Sequence, residues 1–154
     1  METSQIEYKI SSATVNQIKV HLHECNENFI PSLNSSVNIS EYAQKIYSKA
    51  ITFEAFCENV LVGLIAAYFN SEDRNATFIT NVSTIKQFSG KRIASTLMNN
   101  IIDYALKLES PKIRLEVNKN NISANKLYQN FNFVQVYEKE HFLTLELNLQ
   151  IKKQ

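Results

Sequence analysis

The chain has 154 residues, 44% of them apolar, and a formal charge of +1 from 16 basic and 15 acidic side chains. That length suffices for one core and is too short for two comfortable domains, so a single domain over 1–154 is expected. The scattered charges exclude the electrostatic footprint of a nucleic-acid or anionic-membrane partner, and no leader or bilayer-length apolar run is present, which predicts a soluble, cytoplasmic protein.

Residues 5–10 alternate as a short strand, and the hydroxyls of Ser11, Ser12 and Thr14 offer caps for a helix over about 14–25. Its apolar stripe is ragged, built from Val15, Ile18, Val20 and Leu22. The stretch NENFIPSLNSSVNI, broken by Pro31, reads as a loop. Ser40 and Glu41 open a second helix that ends near Lys49. From residue 50 the apolar period becomes two, and the segments AITFEAFCE and ENVLVGLIAAYFN flank a tight Glu58-Asn59 turn, which predicts an antiparallel hairpin. SEDRN is the next turn, and ATFITNVSTI the next strand, with Ile79, Asn81, Ser83 and Ile85 expected on one face.

After Gly90, one of two glycines in the chain, a helix runs to about Leu108 with Ile93, Leu97, Ile101 and Ala105 at threes and fours. KIRLEVN is then a strand, NISANKLYQNF a helix, and FVQVYEK with HFLTLELNL a terminal strand pair. One strand–helix–strand crossover sits in the middle of this order, so the sheet should be mixed. Cys25 and Cys57 lie far apart without ligand spacing, and His21, His23 and His141 form no metal pattern. Reduced structural thiols and no metal site are expected.

Strand, glycine turn and helix start can present unpaired backbone N–H groups to an anion, with Lys91 and Arg92 adding charge. On these residues alone the turn is either a phosphate cradle or a plain connection. The spacing of Asn121, Ala124, Leu127, Tyr128 and Phe133 behind a strand ending in Glu116-Val117, together with NVSTIKQFSGKRIAS, resembles the GNAT superfamily of acetyl-CoA-dependent N-acetyltransferases. The resemblance is specific over 76–133, and extends there to the branch that acetylates the N-terminal alanine of a ribosomal protein.

The resemblance implies an α+β, three-layer α/β/α fold whose mixed, twisted sheet of about seven strands has a splayed central parallel pair, here 76–85 and 112–118. It implies a cofactor-binding core over 76–133, acceptor-side elements over about 13–58, and acetyl-CoA as co-substrate. Val82, Ser83 and Thr84 would bond its pantetheine arm. The pyrophosphate loop would fall on Ser89, Gly90, Lys91, Arg92, Ile93 and Ala94, with Ser95 beside it. Ser89 replaces the family's Gln or Arg and Arg92 replaces a glycine. If Arg92 is helical, the exchange costs little; if the position needs positive φ, or the phosphate needs that space, binding weakens. Asn132 replaces another glycine and should take the left-handed conformation that ends the last helix.

Asn121 matches a cofactor-bonding residue and fits equally as an N-cap. Tyr128 matches the tyrosine that protonates the departing thiolate, and otherwise is a core aromatic. Glu116 matches the family branch's base, Glu54 is a second candidate, and either is otherwise a solvated or paired strand carboxylate. The implied activity is transfer of acetyl from acetyl-CoA to a primary amine in a ternary complex. A small-molecule acceptor of the amino sugar, polyamine or aminoglycoside type is expected. A protein N-terminus or lysine, and a non-catalytic acyl-CoA-binding module, stand as alternatives, and a homodimer is left open. The Lys, Asn and Ile bias suggests an AT-rich bacterial genome.

Overall fold

A computed structural model of the chain describes residues 5–69 and 76–149; the expected SEDRN turn lies outside the described residues. The elements run β1 (Ile6–Ile10), α1 (Val15–Glu24), α2 (Ile39–Lys49), β2 (Ile51–Cys57), β3 (Val60–Tyr68), β4 (Thr77–Thr84), α3 (Ile93–Lys107), β5 (Lys112–Asn118), α4 (Ile122–Asn130), β6 (Val134–Lys139) and β7 (Phe142–Asn148). This is the expected order of strands and helices. Two short 3-10 turns, Asn26–Asn28 and Leu33–Ser35, punctuate the loop between α1 and α2.

Local chemistry sets most boundaries. Thr14 caps α1 with a full capping box, its hydroxyl accepting from Gln17 N–H while the Gln17 side chain accepts from Thr14 N–H. In α2 the cap is Asn38, which accepts from Glu41 N–H, so the helix begins before the expected Ser40. Glu58 and Asn59 both take positive φ, 49° and 66°, as a two-residue hairpin turn with right-handed strands requires. Asn132 has φ 69°, and Phe133 N–H donates to the Tyr128 carbonyl while Asn132 N–H donates to that of Gln129, which closes α4 in a Schellman motif.

The seven strands form one sheet in the order β1-β2-β3-β4-β5-β7-β6. All neighbours are antiparallel except β4 and β5, which pair in parallel only over Thr77–Ile79 against Ile113–Leu115. Beyond that the two strands part, giving the expected splay. On one face α3 and α4 bury Phe53, Ile65, Ile79, Leu97, Ile101 and Leu115 among others. On the other, α1 and α2 bury Ile18, Leu22, Ile46, Phe56 and Leu64. This is the three-layer arrangement. Gly63 is required where α3 meets β3, since a Cβ there would stand 2.5 Å from Ile93 Cγ2. That close approach brings the start of α3, and the turn before it, down onto the sheet. No helix among the described residues is long and apolar enough to cross a membrane.

The strict alternation expected along β4 does not hold. Ala66 pairs with Asn81 and Ala67 with Ile79, so Thr80 is an extra residue in a bulge. The bulge resets the pleat: Ile79 belongs to the α3-side cluster, whereas Ser83 meets His21 of α1 on the other side. The expectation for α1 also needs correcting. Val20 is half exposed, and His21, not Val20, completes the buried face with Ile18 and Leu22.

Candidate active site

A cleft of about 580 Å³ lies between the end of β4, the turn into α3 and the start of α4. Val82, Ser83 and Thr84 form one wall; Ser89, Gly90, Arg92, Ile93, Ala94 and Ser95 form the turn into α3; Asn121 and Tyr128 of the last helix face them. All the expected cofactor residues except Lys91 therefore line a single cleft. Lys91 instead stacks its ammonium over the Phe88 ring at 5.4 Å.

Gly90 and Arg92 both have positive φ, 79° and 61°. Two left-handed residues in three turn the chain sharply into α3. Arg92 occupies the N-cap but caps nothing with its side chain. The first N–H groups of the 15-residue helix thus lack a side-chain acceptor and carry the partial positive charge of the helix terminus beside the cleft. The fork posed by the sequence falls on its costly branch: this position needs positive φ, and arginine pays the steric penalty a glycine would escape.

Tyr128 is buried within α4, its ring 5.7 Å from that of Phe133. Its hydroxyl has no hydrogen-bond partner among the described residues, and burial holds the phenol well above its usual pKa, so it stays protonated. Asn121 is the N-cap of α4, its side-chain oxygen accepting from Ala124 N–H at 3.3 Å.

A second cleft of about 380 Å³ lies on the other side of this wall, and Phe29, Val82, Asn121, Ala124 and Tyr128 line both. Glu116, exposed on β5, lies in the second cleft. Glu54 lies in neither. It is fully buried, and its carboxylate accepts from Ser12 N–H, Ser12 hydroxyl, Ala13 N–H and Thr52 hydroxyl. Those four donors tie the entry of α1 to β2, a structural task that leaves no lone pair aimed at an acceptor.

Several side chains at the clefts were not singled out from sequence, among them Lys86, Asn28 and Phe29. Lys86 and Asn28 line the larger cleft, and Phe29 lines both. Lys86 lies in the same basic run as Lys91 and Arg92, a signal within reach. Asn28 and Phe29 come from the loop after α1, and the Asn28 amide donates to the Thr84 carbonyl at 3.2 Å. Nothing local in the sequence announces that contact.

Behind β4, His21 is almost wholly buried. Its Nδ1 lies 2.9 Å from the Leu61 carbonyl, which can only accept, so Nδ1 carries the proton. Burial lowers its pKa to about 4, and the ring is neutral. Ser83 Oγ lies 2.8 Å from Nε2 and 2.7 Å from Asn81 Oδ1. Cys25 Sγ stands 3.6 Å from the same Nε2, and burial raises that thiol to about 12. Cys25 and Cys57 are free, buried thiols, as expected.

The model for the acetyltransferase (GNAT) family matches residues 16–133. The chain belongs to the GNAT acetyltransferase family. N-acetylaspartate synthetase from Xenopus tropicalis is 32% identical to this GNAT chain over 89 residues, a match spanning 58% of the chain and 32% of that protein. The match thus covers about a third of the relative's length. Among solved structures, PaiA N-acetyltransferase from Thermoplasma acidophilum, in complex with coenzyme A, aligns with TM-score 0.73 at 15% identity over 94% of this chain and 99% of that one. The ribosomal-protein-S18-alanine N-acetyltransferase from Escherichia coli aligns with TM-score 0.71 at 13% identity, over 96% and 97% of the two chains. At such identities these likenesses speak for the GNAT fold, which the seven-stranded sheet and four helices share.

Proposed function

We propose that the protein is an N-acetyltransferase that moves acetyl from acetyl-CoA to a primary amine of a small molecule within a ternary complex. The observation that carries the reading is the wall shared by the two clefts. Tyr128, Val82 and Asn121 border both spaces, so a donor in the larger cleft and an acceptor in the smaller would meet at these residues. The PaiA structure named above was solved with coenzyme A, which supports the donor assignment.

In this scheme the start of α3 and Arg92, with Lys86, offer positive potential to the pyrophosphate, and Gly90 lets the backbone approach it. The edge of β4 over Val82–Thr84, freed by the splay, offers backbone groups to the pantetheine arm. A backbone N–H near Val82 polarises the thioester carbonyl. Glu116, directly or through water, takes the proton an ammonium must shed before its nitrogen can attack the carbonyl carbon. As the carbon–sulfur bond breaks, Tyr128 gives its proton to the sulfur, and the second proton that the nitrogen sheds on becoming an amide restores the phenol, directly or through water. Its raised pKa keeps that proton in place across the neutral range.

The test is twofold. Acetyl-CoA should raise the melting temperature, since a ligand binding only the folded state at 100 times its dissociation constant contributes about 2.7 kcal/mol. A thiol-release assay over a panel of amines should then find turnover. Neither acetyl-CoA nor CoA shifting the transition at millimolar concentration would remove the donor assignment. Binding without turnover of any amine would leave a non-catalytic acyl-CoA module.

A further inference from the structure

The smaller cleft carries more chemical information than its sequence did. Among the described residues lining it, Glu116 is the only charged one. Phe29, Ile30, Leu33 and Val37 from the loop between α1 and α2, with Phe142 of β7, give it an apolar lining. Its polar groups are largely engaged by the protein itself. The Tyr42 hydroxyl donates to the Thr80 carbonyl at 2.8 Å, the Ser36 hydroxyl to the Leu33 carbonyl at 3.2 Å, and the Asn118 side-chain oxygen accepts from Asn120 N–H at 2.9 Å. Glu116 also lines an adjoining recess that holds Arg114, whose guanidinium pairs there with Glu146 at 2.6 Å, while Lys112 approaches the same carboxylate. No ion pair or hydrogen bond engages the Glu116 carboxylate among the described residues.

Resting on the acetyltransferase reading above, we infer that the acceptor is a monoamine with an uncharged, apolar body, its ammonium facing Glu116 and its body lying among Phe29, Leu33, Val37 and Phe142. A carboxylate-bearing acceptor such as an acidic amino acid would meet no cation among the described residues lining the cleft and one carboxylate to repel it. A polyamine or aminoglycoside would bring several ammonium groups to a single carboxylate, and the remainder would be buried against apolar side chains without partners. An amino sugar would desolvate its hydroxyls against the same surface. The class differs from the polar acceptors that the sequence suggested, and from the product in the name of the Xenopus relative. About 380 Å³ lies near the lower end of small-molecule sites, which suits a compact amine.

The experiment measures thiol release from acetyl-CoA with 2-phenylethylamine and hexylamine against glucosamine, spermidine, kanamycin and aspartate. Binding of each to the CoA-loaded protein is followed by NMR saturation transfer, so that slow turnover still gives a reading. The apolar amines should exceed every other acceptor in kcat/KM, or in binding, by about tenfold or more. Wild-type protein should also bind 2-phenylethylamine more tightly than 2-phenylethanol, and Glu116→Gln should erase that preference while leaving affinity for the alcohol unchanged. Acetyl-CoA binding is measured by calorimetry on the same preparation. If acetyl-CoA binds and spermidine, kanamycin, glucosamine or aspartate is preferred, or no apolar amine binds, this inference is wrong while the donor assignment stands. If acetyl-CoA itself fails to bind, the functional reading falls and the inference with it.

Discussion

Arg92 offers a test in which backbone and side chain pull in opposite directions. Its φ of 61° and ψ of 20° place an L residue in the left-handed region, where crowding of Cβ against the carbonyl costs about 1–2 kcal/mol. Glycine escapes that crowding but frees the unfolded chain, which offsets about 0.4–1 kcal/mol. Arg92→Gly should therefore stabilise the fold by roughly 0.5–1 kcal/mol, about 1–4 °C in melting temperature for a chain of this size. Arg92→Ala keeps the left-handed strain and removes only the guanidinium, so its melting temperature should stay near wild type. For coenzyme A the two variants should behave alike. Losing one charge-assisted contact to a phosphate should weaken binding about tenfold or more at low ionic strength, and the deficit should shrink in about 0.5 M salt, where the Debye length falls to a few ångströms. Differential scanning calorimetry and titration calorimetry read the two effects separately. Equal stability of the Gly and Ala variants would refute the strain argument. Tighter coenzyme A binding in Arg92→Gly would show that the side chain obstructs the cleft rather than serving it.

Three further outcomes follow from the same geometry. Tyr128→Phe keeps the ring against Phe133 and removes the proton donor, so turnover should drop about 10² to 10⁴-fold with acetyl-CoA affinity nearly unchanged; a loss within about threefold would exclude the general-acid role. Glu54→Gln should cost about 2–4 kcal/mol in urea denaturation, because four donors converge on that carboxylate, yet leave kcat of the folded enzyme at the wild-type value; a large fall in kcat would return Glu54 to the mechanism. His21 is neutral when folded, with a pKa near 4 against 6.5, so the unfolded chain binds the extra proton between those values. Its contribution to stability is complete above pH 6.5 and declines as pH falls, by about 2 kcal/mol at pH 5; His21→Asn, which keeps a donor for the Leu61 carbonyl, should show a flatter profile over that window, and an unchanged slope would refute the burial argument.

Much of this molecule is legible in sequence because the signals are local. The hydroxyl cap at Thr14, the Glu58-Asn59 turn and the Asn132 helix stop each depend on residues within a few positions, and each forms as expected. The glycine turn, the crossover helix and Tyr128 were placed on one cleft by spacing that the family shares. What stayed hidden is non-local. Glu54 alternates as though it faced solvent, and only the return of the Ser12–Ala13 backbone, some forty positions away in sequence, reveals that its face is buried. β6 and β7 carry similar apolar content, so periodicity cannot say that β7 joins β5 and β6 takes the open edge with every residue exposed. The charge of the smaller cleft is likewise a sum over loop, strands and hairpin that no single segment displays.

The Thr80 bulge explains why β4 can serve two masters. Without it, Ile79, Asn81 and Ser83 would share a face, and either the α3 core would receive two polar side chains or the α1 side would lose its network. One extra residue sends Ile79 and Val82 toward the α3 layer and leaves Ser83 to His21 and Asn81 on the other. The strand leaves β5 at the same place, since parallel pairing ends at Ile79. Where it loses ladder bonds to β5, it is thus held by β3 in the sheet and by a buried imidazole on the layer behind. Rigid support from behind is what an open strand edge needs if it is to hold a ligand in one register, because an unsupported edge would spend binding energy on its own ordering. Burial of His21 and opening of the cleft are therefore two consequences of one backbone irregularity, and neither follows from the period-two pattern alone.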